Sequence, residues 1–286
     1  MIACLAAAFI TVSLPAAPAA AAAVEDHFHI ATSTSTAWPE RSVTVNCPPG
    51  QIVWGFGGLT IGGAGHIALT AIYPNVTLTS VTATARVRGD WQGPWEVQAR
   101  ATCWPQGNVG LELVHADGGA VADVSCPGQK KVYASGFQVT AKLGSAYAAA
   151  VVPESDMSGV TVRAGGAEPV GLGARAFALC GRVNLPEIYI YRRTETIVPV
   201  DPATTTTAAA PPMQHSPSGW SWTLGAGVSS TAPNMFIDGL GPVPSLDAGM
   251  GRMSRDASIQ GSSMMMISDE GGDEMSTWGT CIGSWY

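Results

Sequence analysis

The chain has 286 residues, of which 12% are charged, a net charge of −7 and a pI near 5.1. With three Lys (Lys130, Lys131, Lys142) and no basic stripe, a nucleic-acid partner is excluded, because phosphate binding needs clustered Lys and Arg. Gly, Ala, Thr, Val and Ser dominate, which favours strands and turns over helices, and the length allows one large all-β domain or two to three small ones.

Residues 1–23 read as a signal peptide. An apolar run from Ile2 to Leu14 is followed by small residues with Ala-x-Ala patterns between Ala16 and Ala23, although the basic n-region is missing. The run is too short and Pro-interrupted for a membrane span, which needs roughly 20 apolar residues. A secreted, extracellular protein with no transmembrane segment in its mature chain is therefore expected, with Cys4 lost on cleavage. Residues 24–42, which include His27 and His29, are expected as a flexible N-terminal arm.

Next comes a repeat. "NCPPGQIVWGFGG" (Asn46 to Gly58) has a near-copy in "SCPGQKKVYASGF" (Ser125 to Phe137). Cys47 and Cys126 are each followed by Pro. An aromatic stands seven residues after each Cys, Trp54 and Tyr133, and a Pro 27 residues after each, Pro74 and Pro153. Each copy closes on small alternating residues before a second Cys: "WEVQARATC" at Cys103 and "LGARAFALC" at Cys180. Such self-similarity marks a repeat architecture, here over 43–107 and 120–193. Period-two alternation of Val97, Ala99, Ala101 and of Ala174, Ala176, Ala178 predicts closing strands with one buried face. The Pro-Gly steps pin turns, since Pro fixes φ and Gly accepts positive φ. Each unit is predicted as three or four antiparallel strands.

Matched spacing in a secreted chain implies bridges Cys47–Cys103 and Cys126–Cys180, one clasp per unit. "TETIVPVDPATTTTAAAPPMQHSP" then reads as a Thr/Ala/Pro-rich linker or long loop over 194–215. A degenerate third unit follows over 216–286. Ser216 stands where a Cys is expected, Pro244 falls 28 residues later, and "STWGTC" closes at Cys281. Cys281 is thus a free thiol, an intermolecular link that makes a homo-oligomer, or a sign that the pairing differs.

The repeated Cys-Pro-x-Gly, the Gly near the end of the following strand and the small-residue closing strand resemble secreted tandem-repeat proteins of actinobacteria. Three sheet-forming units also resemble, in architecture, the β-prism of the vitelline membrane outer layer protein and jacalin-type lectins. The resemblance implies an all-β, β-prism- or β-sandwich-like fold. No sugar-binding signature of those lectins matches, so it assigns no site residue.

The chemistry-bearing residues are sparse. No nucleophile elbow, zinc-protease motif or phosphate loop is present, and Asp90 with Glu96 lacks any supporting motif for glycoside hydrolysis. The five His are scattered, and no C-x-x-C supports zinc. The run "SDEGGDE", with Asp269, Glu270, Asp273 and Glu274, lacks EF-hand spacing. Neither metal nor cofactor is expected. Nine Trp against six Phe and six Tyr is the stronger signal, because amphipathic aromatic faces suit binding surfaces. Trp91, Trp95, Trp220 and Trp222 are the candidate ligand contacts, whereas Trp54, which recurs as Tyr133, reads as structural. The expectation is a non-enzymatic binding protein of the cell surface or extracellular matrix, its partner an extracellular glycan or cell-surface polymer. The competing expectation is a self-associating component of an envelope or fibre layer.

Overall fold

The closing strands "EVQARATC" and "GARAFALC" follow the alternation rule: Val97, Ala99 and Ala101 are fully buried, as are Ala176 and Ala178. Small inward side chains on these strands let neighbouring sheets approach closely. The computed structural model describes residues 27–255 and 275–283, apart from 64, 108, 142, 184–190, 198–205, 210–220, 231–234 and 244–247.

The described residues form three units of six strands. The first holds β1 (Phe28–Thr32), β2 (Glu40–Asn46), β3 (Gln51–Ile61), β4 (Ile67–Pro74), β5 (Ser80–Val87) and β6 (Glu96–Pro105). The second holds β7 (Glu112–Gly118), β8 (Val121–Ser125), β9 (Lys131–Thr140), β10 (Leu143–Pro153), β11 (Gly159–Val170) and β12 (Gly173–Gly181). The third holds β13 (Tyr191–Ile197), β14 (Thr206–Ala209), β15 (Ser221–Ser230), β16 (Met235–Val243), β17 (Ala248–Arg255) and β18 (Met275–Gly283).

Register proves the equivalence. β3 and β6 skip Trp54, β9 and β12 skip Tyr133, and β15 and β18 skip Leu224. A second bulge falls at Thr70, Ala149 and Asp238. Bulges re-aim a strand and are built-in features of a fold. Four residues beyond the second bulge stands Pro74, Pro153 or Pro242. The Pro of the third unit is therefore Pro242 and not Pro244, because this unit is two residues shorter between its bulges.

No unit keeps its strands to itself. The sheet orders are β1-β6-β3-β16-β17-β14, β2-β5-β4-β9-β12-β7 and β13-β18-β15-β10-β11-β8. Each sheet joins half of one unit to half of the next, so three antiparallel sheets close a prism around one core. The seams pair Gly58 with Leu240, Phe137 with Ile72 and Val228 with Val151. The residue before each inner partner is glycine. A Cβ on Gly57 would lie 2.2 Å from Leu240 O, one on Gly136 2.3 Å from Ile72 O, and one on Gly227 2.7 Å from Val151 O. Phe56, Tyr133, Leu224, Ile72, Val151 and Leu240 belong to a single buried cluster.

Three boundaries move. The stretch 24–42, expected as a flexible arm, contributes β1, which pairs along β6, and the start of β2; His27 is buried and stacks on Trp104 at 3.7 Å. Polar edge strands carry little alternation, so the units begin at Phe28 and Glu112 rather than at 43 and 120. The stretch 194–215 contributes the end of β13 and all of β14, and its remainder lies outside the described residues.

The two clasps form as expected, Cys47–Cys103 and Cys126–Cys180, each with Cα atoms 5.6 Å apart. They mark one end of the prism. There the two units match bond for bond: Cys47 N–H donates to Thr79 O (2.8 Å) as Cys126 N–H does to Ser158 O (2.7 Å), and Val53 N–H to Leu78 O as Val132 N–H to Met157 O. Leu78 and Met157 both take positive φ, 56° and 61°. Cys281 lies opposite Thr223 on β15, as Cys103 lies opposite Val53. Residues 210–220, which include Ser216, lie outside the described residues and contain no cysteine.

Candidate functional site

The opposite, open end is where the units diverge. In the second unit the connections β7–β8, β9–β10 and β11–β12 are two residues each: 119–120, 141–142 and 171–172. In the first unit the same connections run over 33–39, 62–66 and 88–95. Insertions at one end of a rigid scaffold are where binding residues gather.

Segment 33–39 is tied down along its length. Ser33 N–H donates to Val97 O (2.9 Å), and Ser33 Oγ accepts from Val97 N–H (3.0 Å). Thr36 bridges to Trp95, and Val87 N–H donates to Pro39 O (2.8 Å). Beneath the segment lies Trp95, 1% exposed, whose indole Nε1–H donates to Trp38 O at 3.0 Å. The Arg41 guanidinium sits 5.2 Å from the Trp95 ring centroid and donates through Nη1 to Thr34 O. The cation–π contact and the hydrogen bond set the floor of the segment.

The result is a shallow, open cleft of about 360 Å³ lined by Ser33, Thr34, Thr36, Trp38, Glu40, Arg41 and Ser42. The Trp38 side chain stands 70% exposed at its edge. Glu40 is paired with Arg86 at 2.9 Å. Arg41 Nε and Nη2 and Thr36 Oγ1 are buried with no hydrogen-bond partner. The chemistry on offer is an aromatic face flanked by hydroxyls and one ion pair, the donor set of a neutral polar ligand with an apolar side.

The candidate tryptophans fare differently. Trp95 is a buried prop under the cleft and not a ligand contact: its indole is buried and its N–H donates to the Trp38 carbonyl of the segment above it. Trp91 is half-buried on the 88–95 connection and stacks on His66, ring centroids 5.1 Å apart and 24° between planes. Trp220 lies outside the described residues, and Trp222 is placed only by its backbone, opposite Ile282. Trp38 was missed because its segment read as an arm; the signal was a lone Trp-Pro after the hydroxyl run "TSTSTA". Trp54 and Tyr133 are buried, as their recurrence implies.

Among the described residues no three His, Cys, Asp or Glu side chains gather to hold a metal ion. The run Asp269 to Glu274 lies outside them. No helix of the described residues is long and apolar enough to cross a membrane. No family model matches the chain, and no curated protein matches it.

Proposed function

We propose that this is a secreted, non-catalytic binding protein whose open end holds extracellular polysaccharide in the Trp38 cleft. The observation that carries this reading is the exposed Trp38 ring, whose backbone carbonyl is held by the Trp95 indole and which shares its cleft with Ser33, Thr34, Ser42 and the Arg86-paired Glu40. An exposed indole offers a large, rigid face that is apolar over its body and polar at its N–H, the kind of surface enriched at binding sites. An indole face packs on the C–H face of a sugar while neighbouring hydroxyls and charged groups meet its edge. The cleft's one acidic residue is engaged with Arg86, which supports binding over hydrolysis, since glycosidases work with paired carboxylates. The two cystines support an oxidising compartment.

The test is retention of the protein on insoluble chitin, cellulose and peptidoglycan, for the wild type and for Trp38→Ala. The wild type is expected to be held on at least one polymer and Trp38→Ala to be released, with unchanged thermal unfolding. Wild-type passage through all three, or equal retention of the variant, would overturn the reading.

A further inference from the structure

Ser42 closes the cleft on one side and also begins a row that crosses the outer face of the sheet β2-β5-β4-β9-β12-β7. In register, Ser42 stands beside Thr84, Thr84 beside Ala71 and the bulged Thr70, Ala71 beside Gln138, Gln138 beside Arg175, and Arg175 beside Asp117. The flanking Ala83, Val139, Ala174 and Ala176 turn into the core, so alternation sends Ser42, Thr84, Gln138, Arg175 and Asp117 outward, while Ala71 beside the bulge is itself buried. Thr84 Oγ donates to Ser42 Oγ (3.1 Å), and Arg175 grips Asp117 through two bonds of 2.6 and 2.9 Å. The far end of the row is a second hollow of about 150 Å³ between Asp117, Gln138, Thr140 and Arg175.

A second row runs alongside: Thr44 beside Thr82, Thr82 beside Tyr73, and, across Gly136, Phe177 beside His115. Tyr73 stacks on Phe177 at 5.2 Å, and His115 packs against Phe177 at 5.8 Å. Phe177, 6% exposed, is thus covered by rings on the outside of the sheet and lies outside the central cluster. Edge hydroxyls, an amide and an ion pair run parallel to an aromatic row.

We infer that the Trp38 cleft is one end of a track, and that an extended polysaccharide chain lies across this sheet from Trp38 to the Arg175–Asp117 hollow. This rests on the proposed glycan-binding reading and names the form of the ligand: a long chain and not a terminal sugar. Continuity through Ser42, a hollow at each end and paired polar and aromatic rows carry it. Five strand spacings of about 4.8 Å give a track of roughly 24 Å, which only an oligosaccharide of several rings can span. A chain that adds contacts along a preformed surface gains affinity with each ring it seats.

The experiment titrates chito-, cello- and peptidoglycan-derived oligosaccharides, from disaccharide to hexasaccharide, against wild type, Trp38→Ala and Arg175→Ala/Gln138→Ala, with thermal unfolding as the control for folding. Wild-type affinity is expected to rise at least tenfold from disaccharide to hexasaccharide. Arg175→Ala/Gln138→Ala is expected to lose that gain and keep disaccharide binding, while Trp38→Ala loses both. Binding that is length-independent and untouched by Arg175→Ala/Gln138→Ala overturns the track and leaves the cleft standing. No binding of any oligosaccharide overturns both.

Discussion

The first and second units share one end and differ at the other, and that contrast separates what holds this protein together from what it presents. At the cystine end the hydrogen bonds, the positive-φ residues and the clasps recur position by position. At the open end the second unit uses two-residue connections throughout, while the first carries Trp38, His66 and Trp91 on longer ones. The second unit is the scaffold in its barest form, and the first is the same scaffold with a surface built on it. The insertions do two things at once: they bury Trp95 in the core and leave Trp38 exposed above it.

The largest test of this equivalence is removal of the clasps. Closing loops of 56 and 54 residues contributes about 4 kcal/mol each in the chain-entropy model. Cys47→Ser/Cys103→Ser and Cys126→Ser/Cys180→Ser should therefore lower stability by the same amount in chemical denaturation. A large inequality between them breaks the comparison. Gly136→Ala should cost about 3 kcal/mol by overpacking, because its Cβ meets the Ile72 carbonyl, a backbone atom that cannot rotate away. Gly57→Ala should match it at the seam with Leu240. Urea midpoints of the two variants measure this, and a neutral result would show that the seams are loose.

The smallest effect sharpens the comparison by breaking it at one atom. Trp54 and Tyr133 occupy the same bulge, but only Tyr133 titrates. Burial pushes its phenol well above the ordinary value of 10.0, and its O–H donates to Arg182 O at 2.9 Å. A raised folded pKa means that the native state holds its proton longer than the unfolded chain does. The resulting stability is complete below pH 10 and declines as pH rises above it. Thermal unfolding between neutral and strongly alkaline pH should show this decline in the wild type, and Tyr133→Phe should flatten it. An unchanged pH profile in Tyr133→Phe would place the alkaline sensitivity elsewhere.

Much of the fold was legible because it is written locally and twice. Cys, Pro and aromatic landmarks recur at fixed intervals, and Ala alternates on the closing strands, so the clasps, the strands and the third unit could all be read. The exchange of half-sheets could not, since Gly57, Gly136 and Gly227 look like strand weaknesses until the backbone they abut is known. The edge strands β1 and β2 were missed for a related reason. An edge strand buries one face at most: the five residues of β1, "FHIAT", leave Ile30 exposed and none fully buried, and "STSTAWPERS", which leads into β2, carries too few apolar residues to alternate. The site suffered from both effects. Trp38 hid in that polar stretch, while Trp95, in a loop beside Gly and Pro, resembled a surface residue although it is buried and its indole N–H finds the Trp38 carbonyl.

The seam between β3 and β16 has a consequence in time. It joins the early part of the chain to a strand made almost two hundred residues later, so the prism cannot close until the third unit has emerged. Until then Gly58 and Leu59 lie on an unpaired edge, and a half-built sheet with a free edge is a template for the wrong partner. High contact order of this kind slows folding. Each clasp, by contrast, joins residues within one unit and can form as soon as that unit is available. The cystines thus act as early ratchets that hold two thirds of a ring open for its last member.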